Sequence, residues 1–408
     1  MSGRPELDRR GLALLGGAHL SIDLCQAAVP ALLPFFVSQR GYSYAAAGAL
    51  VFAATVGSSL IQPIFGHAAD RLQLPWLMPA GVLLAGAGIG LAGIVSSYAL
   101  TFAAIVVSGI GVAAFHPEGA RHANYASGTR QAVGMSLFSL GGNAGFALGP
   151  ALTTACVLAF GLSGTLVLAL VPGAVLALLL ARRATLAGMR ARGAAAAKAR
   201  SGDAAVNRWG PFTRLTGAIS LRSCVHFGLL AFVPGWFVVS LGTSEAGANA
   251  ALTTMLAAGA AGTLLGGRLA DRVGRRTVLL GCLAVTTPLI ALFIVAPIGL
   301  AFPLIGLIGL VIIGTFAITV VLGQEYLPGR LGMASGVTLG ASIGIGGALA
   351  PLLGVLADAH GIDAAMWAIA LLALPALLLA WTLPRDARAG GLQVPKTRSP
   401  ASPSPGRM

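Results

Sequence analysis

Apolar residues run through this chain in blocks too long for the core of a soluble domain. Twelve such blocks lie at approximately 12–37, 45–68, 75–95, 99–117, 132–158, 162–181, 211–240, 246–267, 277–295, 299–322, 332–357 and 362–383. Crossing the hydrocarbon of a bilayer as an α-helix takes about 20 residues. The pattern therefore predicts an all-α membrane protein with twelve transmembrane helices, and the even number puts both termini on one side.

Composition agrees with the pattern. The chain is 56% hydrophobic and 9% charged, with a mean hydropathy of +0.87, whereas soluble domains carry roughly 25% charged residues. A formal charge of +14 would suggest nucleic acid in a soluble chain. Here the basic residues are nearly all arginines that sit between apolar blocks, so nucleic acid is not expected as a partner. Arg71, Arg121, Arg130, the 182–208 stretch, Arg268, Arg272 to Arg276, Arg330 and the tail fall on the side of the termini, and Arg40 is the clear exception. Positive charge favours the cytoplasmic side. The expectation is an inner (plasma) membrane protein with both termini cytoplasmic.

The run from residue 12 is too long for the apolar core of a signal peptide, so the first block is expected to stay as a helix. Cys25, Cys156, Cys224 and Cys282 lie in apolar stretches without CxxC pairing and read as reduced packing residues. Boundaries follow at 1–181 for a first six-helix half, 182–210 for a cytoplasmic linker, 211–383 for a second half, and 384–408 for a tail too polar to fold. The linker, rich in Ala and Arg, is either a short surface helix or a mobile connector, and its charge suits either anionic lipid or water.

An internal repeat fixes the architecture. Gly66, Asp70 and Arg71 in "GHAADRLQLPW" recur as Gly267, Asp271 and Arg272 in "GRLADRVGRRT", and Pro150 in "GFALGPAL" recurs as Pro351 in "GGALAPLL", each displaced by 201 residues. Six helices return the chain to its starting side, so both copies share one orientation. Gly267, Asp271, Arg272, Gly274, Arg275 and Arg276 fit G-x-x-x-D-R-x-G-R-R, and in this the chain resembles the major facilitator superfamily. The first copy lacks the trailing G-R-R, and "GVLADAHG" at Gly354 and Asp358 is a weaker echo on the opposite side. "DLCQAAVPALLP", "FHPEGAR", "SLFSLGGNAGFALGP", "RSCVHFGLLAFVP" and "QEYLPGRLGMASG" resemble the fosmidomycin-resistance branch of that superfamily. The resemblance implies a proton-driven exporter of drug-like or other small organic compounds. It also implies that Asp70 and Asp271 latch the cytoplasmic side in one conformation, and that Gly145, Gly149 and Pro150 form the G-x-x-x-G-P element of antiporters, although Thr153 and Thr154 replace the following glycine pair.

Ionisable groups within apolar segments are few, and each costs a few kcal/mol unless it faces a cavity or a partner. His19, Asp23 and Gln26 share one face of the first helix. Asp23, the deepest carboxylate, either binds a proton near mid-membrane or is a permanent ion-pair pin. His19 either relays a proton or is satisfied by a carbonyl, and Gln26 either meets a polar substrate or packs. Pro117 is expected to end the fourth helix. His116 and Glu118 are therefore placed at the cytoplasmic mouth with Arg121, Arg130 and Glu325, as a gate or as an interfacial charge cluster. Arg222 and His226 form a basic pair on the seventh helix, suited to an anionic substrate or to a structural ion pair with the first.

Enzyme chemistry is not expected, because no HExxH or GxSxG occurs in a suitable context. ATP drive is excluded as well, since Lys198 follows Ala197 and Lys396 follows Pro395, which leaves no Walker A loop. Secondary active export is the first reading. Uptake or facilitated diffusion of a small organic solute is the alternative. The expected partners are a small-molecule substrate, protons and membrane lipid, with a monomer favoured and neither cofactor nor metal.

Overall fold

A computed structural model describes residues 7–62, 64–65, 74, 76–128, 130–197, 207–327, 330, 333–334 and 336–385. Gly66, Asp70 and Arg71, part of the linker and nearly all of the tail lie outside them. Among the described residues all regular structure is helical. Helix α1 (Arg9–Arg40) starts where the Asp8 carboxylate accepts the Gly11 N–H at 2.9 Å, and it closes at Gly41, whose φ of 65° lies in the left-handed region. Next come α2 (Tyr44–Ser59), α3 (Leu77–Ile94), α4 (Tyr98–Ala126), α5 (Gln131–Phe160) and α6 (Gly164–Leu168, continued by Leu170–Ala181). A connecting helix, Arg183–Ala197, leads to α7 (Trp209–Leu241), α8 (Glu245–Val273) and α9 (Arg275–Val295). The chain ends through α10 (Ile298–Gly314, continued by Phe316–Tyr326), α11 (Ser342–Ala348, continued by Ala350–His360) and α12 (Ile362–Trp381).

Among the described residues ten helical runs are long and apolar enough to cross a membrane. One of them, 134–181, is 48 residues long and turns at Gly161 (φ 63°), while α2 is a shorter apolar helix of 16 residues. The repeat is visible in the corners. Gly41 ends α1 and Gly242 ends α7, both with φ of 65°, and Ser43 and Ser244 cap the next helices. Both pairs are 201 residues apart, the same displacement as the sequence motifs.

Helix α4 departs from expectation, because Pro117 lies inside it and the helix runs on to Ala126. Proline is tolerated in apolar helices where neighbouring groups use the freed backbone acceptors. Here the acceptor that Pro117 frees is the Ala113 carbonyl, and beside it the His116 ring N–H donates to the Val112 carbonyl at 2.9 Å, one turn back. The linker departs less: its helical part carries Leu186 and Met189, both buried.

Within each set of six the helices meet through small residues, which let backbones approach closely. α1 lies against α5, α3 against α4, α7 against α12, and α8 against α10. The two sets touch along α2–α11 and α5–α8. At the α2–α11 crossing, a Cβ on Gly48 would lie 2.7 Å from the Ala350 carbonyl carbon. Large side chains such as Leu352, Leu371, Leu378 and Trp381 are more than half exposed on the outside of the bundle, where a bilayer would cover them.

Candidate functional site

Asp23 lies near the middle of α1 and is buried. Two imidazoles reach it: His19 Nε2 stands 3.2 Å from one carboxylate oxygen and His116 Nε2 3.3 Å from the other. The two Nε2 atoms are 3.2 Å apart. His19 donates its Nδ1–H to the Phe138 carbonyl and His116 donates its own to Val112, each at 2.9 Å. A carbonyl only accepts, so both Nδ1 atoms carry their protons. In the neutral ring each Nε2 is then a bare acceptor. Two such acceptors and an ionised carboxylate converge without a proton among them, an arrangement that repels itself. The cluster therefore requires at least one added proton or another cation between its members. Its donor atoms also lie within 4.8 Å of one another, a set of residue types that divalent cations use.

The third wall of this cluster is α5. The Phe138 ring stacks on His19 with centroids 4.1 Å apart, and a Cβ on Gly142 would fall 2.5 Å from Asp23 Oδ2 and 2.6 Å from His19 Nε2. Only a residue without a side chain leaves room there. Gly149, one of the antiporter-like trio with Gly145 and Pro150, makes the same kind of approach to Ala27 of α1, at 2.6 Å from a built Cβ.

His116 thus stands with Asp23, away from the gate group in which its sequence neighbour Glu118 was expected to keep it. One residue past Pro117, Glu118 points elsewhere. Its side chain is fully buried and meets Arg190 of the connecting helix, Arg121 at 3.5 Å and His122 at 3.5 Å. Arg130 is exposed at the start of α5, and the partners described for Glu118 do not include it. Glu325 of α10 pairs with Arg275 at 2.5 Å, whereas Asp271 is three-quarters exposed and 4.0 Å from the same guanidinium. Arg272 is exposed, Arg276 donates to the Trp381 carbonyl at 2.6 Å, and Gly267 and Gly274 (φ 95°) frame the turn. None of these described gate and motif pairs joins one set of six helices to the other; Glu118 reaches only its own set and the connecting helix.

Across the bundle, Arg222 is buried in α7 and turns toward α10. It donates to the Ile312 carbonyl at 3.0 Å and to Thr315 at 3.4 Å, and it lies over the Phe316 ring, 4.7 Å from its centroid. No carboxylate among the described residues pairs with it, and its buried Nε has no hydrogen-bond partner there. Of the two readings offered for Arg222, the structural ion pair between α7 and α1 is not among the described contacts. His226, one turn on, meets Phe227 edge to face. Gln26 reaches Ser58 at 3.5 Å and lines a small cavity with Phe146, Phe227 and Leu230, where the two sets face one another.

The end away from the termini is closed across the two sets. Asp358 of α11 accepts the Tyr44 and Ala45 N–H groups at 2.8 and 2.9 Å, capping α2. Asn249 of α8 donates to the Ala31 carbonyl of α1 at 2.9 Å and to Thr154 of α5 at 2.8 Å. Sequence reading missed Gly142, His122, Arg190 and Asn249. The adjacent glycines of "LGGNAG" were the one available signal, since paired glycines inside an apolar helix mark a close approach.

Comparison with known proteins gives the context for this geometry. A family model, Major Facilitator Superfamily, matches residues 15–339 and 215–407. The chain is 32% identical over 382 residues to an uncharacterized MFS-type transporter, YfnC, of Bacillus subtilis (strain 168), covering 92% of this chain and 93% of that protein. It is 30% identical over 365 residues to the fosmidomycin resistance protein of Escherichia coli (strain K12), covering 87% and 89%. Among solved structures, a bacterial homologue of the human lysosomal transporter Spinster, inward-facing and occupied, superposes with a TM-score of 0.76 at 15% identity, covering 93% of this chain and 97% of that one. The nucleoside transporter NupG superposes with a TM-score of 0.72 at 14% identity, covering 92% and 100%.

Proposed function

The chain belongs to the major facilitator superfamily, and from that premise we propose that it is a secondary active transporter exporting small organic anions in exchange for protons. The observation that carries the reading is the His19–Asp23–His116 cluster, whose fixed Nδ1 protons leave the Nε2 atoms and the carboxylate to share exchangeable ones. Arg222 supplies the other half, a buried guanidinium with no acidic partner among the described residues. A phosphonate or carboxylate group of a substrate would complete it. The relative named for fosmidomycin resistance favours export and an anionic cargo.

The cycle has a simple form. When the bundle opens toward the proton-rich side, the cluster loads protons, and their charge makes the cavity ready to change face. When it opens toward the cytoplasm, the protons leave, and the anion binds at Arg222. The two sets, 1–181 and 211–383 joined through 182–210, rock about the cavity between them. The twelve-helix count takes 134–181 as two crossings and α2 as one. The arginine-rich end is cytoplasmic by the positive-inside rule.

Flux in proteoliposomes tests the proposal. With fosmidomycin and related phosphonates as probes, Asp23→Asn is expected to abolish flux driven by a pH gradient while leaving substrate counterflow measurable. His19→Ala should do less damage, because His116 remains. Full gradient-driven flux by a folded Asp23→Asn protein would move coupling elsewhere, and accumulation measured in both directions separates export from uptake.

A further inference from the structure

Beneath the connecting helix lies a cavity of about 700 Å³, bounded by α3, α4 and α6. Arg121, Arg183, Arg190 and His122 line it, with Trp76 and Tyr125 at its edges, and the rest of the wall is mainly apolar. No Asp or Glu is among its described lining residues. Among the described residues the carboxylate of Glu118 is fully buried behind the wall and held by Arg190, Arg121 and His122. Three arginines and a histidine therefore face the cavity from its described walls. We infer that this cavity binds the phosphate of an anionic phospholipid headgroup.

Three features point to that ligand. Guanidinium forks match phosphate oxygens and are weakly enough hydrated to give up water for them. The cavity lies where α3 begins and α4 and α6 end, so it sits at a membrane boundary, and Trp76 there is 57% exposed, as expected of an aromatic ring at headgroup level. The apolar wall suits the glycerol and first acyl carbons that a headgroup brings with it, which a free phosphate lacks. Leu186 and Met189 hold the connecting helix against the bundle, so its arginines are presented from a docked surface. Basic pockets between helix ends on the cytoplasmic side are suited to anionic headgroups in general. The same phosphate chemistry is available from soluble esters, and the test separates the two sources.

Native mass spectrometry and thermal unfolding of the detergent-purified full chain read the binding. Phosphatidylglycerol or cardiolipin is expected to stay bound and to raise the unfolding temperature, whereas phosphatidylcholine at equal concentration does neither. Arg183→Gln, an exposed position, is expected to weaken the anionic lipid by about fivefold, the effect of one arginine near a membrane surface. Arg330→Gln, exposed at the other half and outside the cavity lining, should leave it unchanged. Equal retention of phosphatidylcholine, or identical behaviour of the two variants, overturns the inference. Stabilisation by glycerol 3-phosphate or inorganic phosphate equal to that by the lipid would keep the phosphate site and overturn its lipid origin.

Discussion

Asp358 joins two helices that the chain brings together from positions over 300 residues apart. Its two oxygens accept from Tyr44 and Ala45 at 2.8 and 2.9 Å, so one carboxylate caps the N-terminus of α2 from α11. Replacing a capping carboxylate by alanine costs about 0.5–2 kcal/mol. Hydrogen bonds to charged groups reach about 1.5–3 kcal/mol, but Asp358 is exposed, and water would take over part of the lost bonding. The expected cost is about 1–2 kcal/mol. Because α2 and α11 come from different sets of helices, that energy is present only while the end away from the termini is closed. Asp358→Ala should therefore shift the balance toward opening of that end by about 5- to 30-fold.

Pulsed electron-spin distances in lipid nanodiscs measure this directly. Spin labels at Ser96, between α3 and α4, and Ile298, at the start of α10, span the two sets at the same end. The wild-type distribution should be dominated by the short distance, and Asp358→Ala should raise the long-distance fraction. Asp358→Asn keeps one carbonyl acceptor and loses the charge that the positive end of α2 favours, so it should fall between the two. Populations within twofold of wild type for Asp358→Ala would refute the assignment of Asp358 as a latch.

Two further outcomes follow from the geometry. Gly142→Ala places a methyl 2.5 Å from Asp23 Oδ2, and the overpacking should cost about 1–3 kcal/mol, seen as a lower unfolding temperature and as gradient-driven flux lost more than counterflow; flux and stability equal to wild type would remove α5 from the proton cluster. Single cysteines at Thr185 and Ser96, both exposed, should react with impermeant maleimide from opposite faces of the membrane, Thr185 from the cytoplasm, and the reverse labelling would invert the orientation.

The helices were legible because membrane insertion writes their length into the sequence. What was not legible is how each helix is rotated and what lies across from it. His116 stands in α4 just before a proline that, by the rule for soluble helices, should have ended the helix, and no spacing links it to His19, 97 residues away. Arg190 looked like one more solvated charge in an Ala/Arg stretch, yet it reaches the buried Glu118. Asn249 and Gly142 carry no charge at all. Their roles come from contact across helices, which hydrophobic periodicity does not encode. Asp358 was visible as a motif echo, but its partners are backbone N–H groups, which no sequence pattern marks.

The repeat offers a way to separate architecture from chemistry. Features needed to build a six-helix unit occur at both members of a 201-residue pair: Gly41 and Gly242 end helices, and Ser43 and Ser244 begin them. The ionisable groups inside α1 and α7 break the rule. Cys224 occupies the position equivalent to Asp23 and Ser220 that of His19, while Ser21 and Cys25 stand where the second copy has Arg222 and His226. Neither set is required by the fold, since the other copy folds without it. A buried ionisable group that only one copy carries is an expense the architecture does not ask for. The acid cluster thus belongs to one set of helices, and the guanidinium without an acidic partner among the described residues belongs to the other, held against α10. Rocking the sets changes what each charge sees, and protons and an anion that bind on opposite sides of a moving interface can be coupled by that motion without a chain of groups between them.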